Sequence, residues 1–207
     1  MEPIFSYTRL FLGVMGMVAL FSCGQKTFDT EKELWAHVRD TENGYTQHKK
    51  VKGVDYTLSY RPTDVLINQA LGEDINKEKV DSLRNKYGDY LYFNLSLGID
   101  NQELLSAKAG NRNEFGAMVN QLAFGMSEKV HLISKTRDTI PMADYIYPRM
   151  YGMGQSTQLL LVYPRDGRLL SNDFFHFTID DIGFATGEVG FKIPTDPIRT
   201  EPKLKFE

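Results

Sequence analysis

Two kinds of side chain in this 207-residue sequence could take part in acid–base chemistry, namely its histidines and a pair of adjacent aspartates. The four histidines are His37, His48, His131 and His176. No two of them have the spacing that places two metal ligands on one face of a helix or strand, which weakens the case for a zinc site. An enzyme would therefore need His131 or His176 to meet Asp144 or Asp180 in a cleft that forms only in three dimensions. We predict no metal site and no cofactor.

A serine that follows two glycines is the second feature with catalytic potential. The stretch GMGQSTQ, residues 152–158, contains Ser156 but lacks the glycine that follows the serine in the GxSxG motif of hydrolases. Residues 124–163, from FGMSEKVHLI to STQLLLVY, resemble the rear half of the FKBP prolyl isomerases, whereas the front half of the chain lacks that family's opening pattern. A hydrolase and a prolyl isomerase-like enzyme therefore remain alternatives to a non-catalytic protein.

The only cysteine, Cys23, lies where an apolar run gives way to polar residues. The run covers residues 10–21 and follows Arg9. A membrane-spanning helix needs about 20 apolar residues, whereas the core of an export signal needs only about 7 to 15. The run is therefore interpreted as an export signal, and Cys23 as the residue that follows its cleavage site.

The tetrapeptide LFSC, residues 20–23, resembles the lipobox of bacterial lipoproteins, although Phe21 stands where a smaller residue is usual. The resemblance implies that residues 1–22 are a type II signal peptide and that the thiol of Cys23 carries a diacylglycerol. Two or more acyl chains hold a protein at a membrane lastingly. Residues 23–29 would then be the lipid attachment and a short tether.

Lipid attachment would place the protein in the cell envelope, most simply at the outer membrane. Surface-exported lipoproteins of Bacteroidota often carry acidic residues directly after the cysteine. Here Gly24, Gln25 and Lys26 come first, and Asp29 is the earliest acidic residue. This order favours the periplasmic face over the cell surface.

The stretch DYIYPRMYGMGQ, residues 144–155, is rich in tyrosine, methionine and arginine, which are enriched in protein contact surfaces. Methionine adapts to surfaces of varied shape, and loops on a rigid sheet often carry binding function. The stretch is a candidate partner-binding loop, unless its tyrosines line the core and its glycines merely turn the chain. The candidate residues are Tyr145, Tyr147, Arg149, Met150, Tyr151 and Met153.

Two tripeptides resemble the O-glycosylation pattern of Bacteroidota, in which Asp precedes Ser or Thr and an apolar residue follows. They are Asp81-Ser82-Leu83 and Asp138-Thr139-Ile140. Ser82 and Thr139 are therefore candidate modification sites, and both hydroxyls must face water if they are modified.

Periodicity predicts helices in the first half of the chain and a series of short strands in the second. Thr30 and Glu33 form a capping box before a short helix. Further helices are predicted over 63–71, 76–87 and 112–126, and strands over 54–60, 90–97, 130–134, 140–147, 157–163, 174–179 and 188–193. Strands without intervening helices indicate an antiparallel sheet. The predicted fold class is α+β, with N-terminal helices packed on a mainly antiparallel sheet or sandwich.

The charge distribution and the chain length limit the class of protein. The formal net charge is −3, and Lys and Arg are scattered without the basic stripe of a nucleic-acid-binding protein. No nucleic-acid partner is expected. The length suits one domain after signal cleavage, which we place at residues 30–207.

Residues 33–45, ELWAHVRDTENGY, and 53–64, GVDYTLSYRPTD, resemble a Bacteroidota lipoprotein family to which no activity is attached. The sequence therefore favours a non-catalytic binding or scaffold subunit, held near a membrane by its lipid and docked on an envelope protein. A carrier of a small sugar or lipid ligand and an envelope enzyme are the alternatives.

Overall fold

The protein is described by a computed structural model over residues 25–72, 75–150 and 153–206. Cys23 and Tyr151 lie outside these residues. The strands within them are β1 (Thr27–Phe28), β2 (Thr46–Val51), β3 (Val54–Arg61), β4 (Tyr90–Ile99), β5 (Gln102–Glu103), β6 (Val130–Ser134), β7 (Thr139–Ile140), β8 (Asp144–Ile146), β9 (Thr157–Pro164), β10 (Phe174–Ile179), β11 (Val189–Pro194) and β12 (Lys203–Leu204). The α-helices are α1 (Glu31–Arg39), α2 (Thr63–Leu71), α3 (Lys77–Gly88), α4 (Leu104–Lys108), α5 (Arg112–Asn120), α6 (Gly167–Leu170) and α7 (Thr195–Arg199).

The strands form two antiparallel sheets and one short parallel pair. The larger sheet has the order β2-β3-β4-β9-β8, with β5 paired to the end of β4. The smaller sheet has the order β11-β10-β6-β7, and β1 pairs with β12 in parallel. Helices combined with mainly antiparallel sheets confirm the predicted α+β class.

The two sheets face each other across an aromatic core. The ring of Phe93 in β4 lies 6.3 Å from that of Phe175 and 5.6 Å from that of Phe177, both in β10. Tyr163 in β9 contacts Phe177 as well, and its hydroxyl donates to the carbonyl of Val130 in β6 at 3.1 Å. Side chains alternate between the two faces of a strand. The other face of the larger sheet is therefore turned away from this core.

The first helix begins at the predicted capping box and ends at Arg39, before the turn at Asn43-Gly44. The hydroxyl of Thr30 accepts from the amide of Glu33 at 3.2 Å, and the carboxylate of Glu33 accepts from the amide of Thr30 at 3.3 Å, so the predicted capping box is confirmed. Gly44 then turns the chain into β2 with a φ of 79°. A Cβ at Gly44 would lie 3.1 Å from Pro197 and 3.3 Å from Pro194. Glycine is therefore needed at this turn for both its φ and its small size.

The two ends of the described chain are joined. The amide of Lys203 donates to the carbonyl of Lys26 at 2.9 Å, and the side chain of Gln25 donates to the carbonyl of Glu201 at 2.9 Å. The predicted domain starts at residue 30, whereas β1 already takes part in the fold from Thr27. Within the described residues, strand pairing therefore begins four residues after Cys23.

Three local predictions differ from the structure. The predicted strand 140–147 is two strands, β7 and β8, which belong to different sheets. Pro141 separates them, and proline has no amide hydrogen to donate to a sheet. The predicted helix 112–126 is α-helical only to Asn120 and continues as one π-helical turn over Gln121–Gly125. Strand β2, with the sequence TQHKKV, was not predicted, because its run of polar residues hides the alternation of a strand.

None of the helices within the described residues combines the length and the apolar character needed to cross a bilayer.

Candidate functional site

The outward face of the larger sheet carries a polar groove, which we call the sheet groove. Side chains of β2, β3, β4 and β9 form its floor, and side chains of α1 and α2 border it. Its volume is about 560 Å³. Ligand-binding pockets typically measure about 300–1,000 Å³. The groove is thus large enough for a small molecule or for part of a chain-like ligand.

One row of polar side chains crosses four neighbouring strands of the floor. Strand register places His48, Thr57, Ser96 and Gln158 side by side. His48 Nδ1 lies 2.8 Å from Thr57 Oγ1, and the amide nitrogen of Gln158 donates to Ser96 Oγ at 2.8 Å. Neighbouring strands are about 4.7–4.9 Å apart. The row therefore offers one polar group about every 5 Å across the sheet.

A second row lies beside the first and consists of Thr46, Ser59 and Asn94. The hydroxyl of Thr46 donates to the carbonyl of Val38 at 2.7 Å and lies 2.9 Å from the hydroxyl of Ser59. Asn94 differs from both, because its side-chain amide makes no hydrogen bond to any residue that the structure describes. This amide therefore has two donors and an acceptor available on the central strand of the floor.

Two arginines and a tryptophan stand at one side of the groove. Trp35 and Arg39 come from α1, and Arg61 ends β3. The guanidinium carbons lie 5.5 Å (Arg39) and 6.0 Å (Arg61) from the centre of the Trp35 ring, which is cation–π distance. Burial lowers the pKa of Arg61, and the nearby carboxylate of Glu31 partly opposes this. The guanidinium nevertheless stays charged, because arginine does not lose its proton in proteins.

A second cavity of about 360 Å³ continues the groove toward β8. It shares Arg61, Asn94 and Gln158 with the first cavity, and Ile146 and Pro148 line its far side. The two cavities are therefore adjoining parts of one surface that runs from α1 to the stretch after β8.

The groove presents polar groups of several kinds. Its floor mixes hydroxyl, amide and imidazole groups, and one edge adds two guanidinium groups and an indole. Pockets for apolar ligands are lined mainly by hydrophobic side chains. The lining of this groove therefore suits a polar ligand that both donates and accepts hydrogen bonds.

The candidate partner-binding loop is divided between core and surface. Tyr145 and Tyr147 are half-buried and pack against the main core, and the hydroxyl of Tyr145 accepts from the amide of Met126 at 3.4 Å. Met153 is 80% exposed, and Met150 and Arg149 are exposed as well. The list of candidates also includes Tyr151, which lies outside the described residues. The loop adjoins the sheet groove, because Pro148 and Ile146 line the second cavity.

The remaining predicted sites fall in three different places. Cys23, the predicted lipid attachment site, lies outside the described residues. Ser82 is exposed on α3, and Thr139 is exposed in β7, so both candidate glycosylation sites meet the requirement that their hydroxyls face water. Their modification stays a prediction.

The histidines and aspartates considered for catalysis meet in one pair. His131 Nε2 lies 3.6 Å from Asp180 Oδ2, and both side chains are partly exposed. Neither residue lines the sheet groove or the adjoining cavity. His176 instead packs its ring 5.3 Å from that of Phe174. Among the described residues no group of three or more His, Cys, Asp or Glu side chains could hold a metal ion.

The sequence patterns did not indicate the groove residues as a binding site. Apolar and polar residues alternate along β3, and the structure places Thr57 and Ser59 on the face opposite the core. Nothing local indicates that Gln158, about sixty residues after Ser96, is its cross-strand neighbour. The strand order is therefore the missing information.

Comparisons with known protein families, with curated proteins and with solved structures give no match to this chain.

Proposed function

We propose that this protein is a non-catalytic binding protein of the bacterial envelope, anchored by lipid on Cys23, and that the sheet groove binds a saccharide. The observation that carries the proposal is the side chain of Asn94. It lies on the central strand of the floor, lines both cavities, and makes no hydrogen bond to a described residue. An amide in this position is available to bind a ligand.

The composition of the groove supports a saccharide over an apolar ligand. Each sugar hydroxyl both donates and accepts, which matches a floor that presents both kinds of group. Gln158 is an example, because its nitrogen donates to Ser96 and Ser156, which leaves its carbonyl oxygen as an acceptor. Trp35 adds an aromatic surface beside these groups. Aromatic side chains contribute binding area with little loss of conformational entropy.

The position of most of the groove on a sheet face also argues against an extended peptide. Peptides that extend a sheet bind to the free backbone groups of an edge strand. The floor strands β3, β4 and β9 each have hydrogen-bonded neighbours on both sides, whereas the floor strand β2 stands at the end of the described sheet. A ligand over β3, β4 and β9 therefore meets side chains rather than free backbone groups.

The anchoring half of the proposal rests on the lipobox-like residues 20–23 and on the position of β1. Thr27, which pairs with Lys203, comes four positions after Cys23. An extended chain covers at most about 3.6 Å per residue. A lipid on Cys23 would therefore hold the folded body close to the membrane surface.

The test is a screen of the full chain, purified in mild detergent, against an array of oligosaccharides, followed by calorimetry on each sugar that binds. Asn94→Ala is expected to weaken binding about tenfold, because one or two hydrogen bonds to the ligand are lost. Asn85→Ala is the matched control, since Asn85 is exposed on α3 and does not line the groove. The Asn85→Ala variant should bind each sugar with the same affinity as the unchanged protein.

Two results would contradict the proposal. One is the absence of binding to every saccharide tested. The other is binding that Asn94→Ala and Asn85→Ala leave equally unchanged, which would place the ligand outside the groove.

A further inference from the structure

The two arginines of the sheet groove, half-buried Arg61 and exposed Arg39, differ in their partners from the half-buried arginines Arg84 and Arg165. Arg84 donates to Asp64 at 2.7 Å, and Arg165 donates to Glu201 at 2.8 Å. Among the described residues, Arg61 and Arg39 form no such ion pair. Charged groups away from water are normally paired. A half-buried arginine that lacks a carboxylate partner is therefore unusual here.

The few contacts that Arg61 does make leave most of its donors unused. Its terminal nitrogen Nη2 donates to the amide oxygen of Gln69 at 2.8 Å. Its Nε is buried and has no hydrogen-bond partner among the described residues. A guanidinium group carries five N–H donors in a planar fork. The contact with Gln69 accounts for one of them.

The carboxylate of Glu31, whose charge acts on Arg61, is already hydrogen-bonded to other groups. Glu31 accepts from the indole nitrogen of Trp35 at 3.0 Å and from the side-chain amide of Asn68 at 2.7 Å. Each of its two oxygens thus has a neutral donor, and neither bonds to Arg61 or Arg39. The described residues that line the groove include two arginines and a histidine and no carboxylate.

We propose that the saccharide bound in the sheet groove is acidic, and that Arg61 and Arg39 bind the carboxylate of a uronate unit beside Trp35. This inference rests on the proposed function. A planar carboxylate matches the guanidinium fork and can accept two parallel hydrogen bonds from it. The hydroxyls of the same or neighbouring units bind to Asn94 and Gln158, which lie along the floor from Arg61.

The position of the positive charge sets the orientation of the ligand. Arg39 and Arg61 both lie over one ring, at the α1 side of the groove. The cavity beyond Asn94 is lined by Ile146, Pro148 and Leu160 and has Arg61 as its only charged residue among those described. The acidic unit therefore binds beside α1, and less polar parts of the chain extend toward β8.

The experiment compares a panel of oligouronates with their own methyl esters, which have the same length and linkage but no charge. Calorimetry on the full chain in mild detergent is expected to give at least about tenfold tighter binding of each acid that binds. The preference should decrease as salt is added, because screening weakens interactions between partly exposed charges.

Substitutions then locate the charge contact. Arg39→Gln and Arg61→Gln should each reduce the ratio of acid to ester affinity toward one. Arg39 is exposed, so Arg39→Gln keeps the test valid if Arg61→Gln does not fold. Arg112→Gln is the matched control, since Arg112 is an exposed helical arginine outside the groove, and it should keep the full ratio.

The possible failures are distinguishable. If esters or neutral sugars bind as tightly as the acids, the acidic ligand is ruled out while saccharide binding stands. An acid preference that survives both Arg39→Gln and Arg61→Gln, or a preference for sulfated over carboxylated sugars, also overturns the inference. If no saccharide of any class binds, the proposed function itself is wrong.

Discussion

The hydroxyl of Tyr60 donates a hydrogen bond of 2.7 Å to the carboxylate of Glu201, which joins the end of β3 to the C-terminal segment. The same carboxylate accepts from Arg165 at 2.8 Å and from the amide of Thr63 at 3.0 Å. Burial raises the pKa of Tyr60 well above its usual value, and the charge of Glu201 adds to this effect. Thr63 thus bonds to Glu201 rather than capping α2, whose N-cap residue is Pro62.

This relationship predicts that Glu201→Ala destabilises the protein by about 3 kcal/mol, because it leaves the guanidinium of Arg165 without its partner inside the fold. Urea unfolding monitored by circular dichroism measures the loss. Glu188→Ala is the control, since Glu188 is exposed, and it should change the free energy of unfolding by less than about 0.5 kcal/mol. Equal effects of the two substitutions would show that the Glu201 network does not stabilise the fold.

Replacement of glycine by alanine is expected to change the stability of the protein in opposite directions at Gly44 and at Gly116. Gly44→Ala should destabilise by about 2 kcal/mol or more, because a Cβ at its positive φ meets Pro194 and Pro197. Gly116 lies in α5 with open space around its Cα, so Gly116→Ala should stabilise by about 0.5–1 kcal/mol. Thermal unfolding midpoints of the two variants should therefore move in opposite directions, and a shared direction would contradict the prediction.

His37 makes stability depend on pH. Its ring lies 5.1 Å from that of Phe28 and 5.5 Å from that of Tyr45. Burial lowers its pKa, the charge of Lys26 lowers it further, and Asp40 opposes both. The unfolded chain then binds more protons than the folded one at mildly acidic pH. The stability from neutral His37 is complete above the unfolded pKa of about 6.5 and is lost as the pH falls through the lower folded value.

Urea unfolding at a series of pH values between about 7 and 5 tests this dependence, in the range where histidine titrates. His37→Gln should flatten the decrease in stability over that range. His48→Gln is the control, because His48 is exposed on β2 outside this aromatic cluster. A slope that persists unchanged in His37→Gln would assign the effect to other groups.

The exposed methionines of the loop after β8 test the predicted partner contact. The double substitution Met150→Ser and Met153→Ser should leave the free energy of unfolding within about 0.5 kcal/mol, because both side chains are exposed. If the loop docks on an envelope protein, the variant should lose that partner in pull-downs from detergent-solubilised envelopes. Phe124→Ser is the matched control, since Phe124 is 73% exposed on another segment. Retention of the partner by the double variant would rule out the loop as the contact.

Lipidation predicts the mass of the mature protein. Intact mass spectrometry of membrane material should show a chain that starts at Cys23 and carries acyl groups, and Cys23→Ala should retain residues 1–22. Protease treatment of intact cells should leave the protein uncut if it faces the periplasm. Mature protein that keeps residues 1–22, or that is free of the membrane with Cys23 intact, contradicts the anchor.

Local signals in the sequence were sufficient for individual elements. The capping box of Thr30 and Glu33 marks the start of α1, and the alternation of buried and exposed residues marks β3. Strands β6 and β10 have the predicted bounds, since their apolar residues recur with period two. These features depend on neighbours within a few residues, so the sequence alone determined them.

The binding groove was decided by the tertiary structure. Its floor joins β2, β3, β4 and β9, and its border comes from α1 and α2, so the residues that form it are spread from Trp35 to Gln158. Period-two alternation indicates which face of a strand is polar. It does not indicate which other strand lies beside that strand in the sheet. Strand neighbours are set by packing between distant parts of the chain, such as Phe93 against Phe175 and Phe177. The unpaired charge of Arg61 likewise became visible only when the positions of all described carboxylates around it were known.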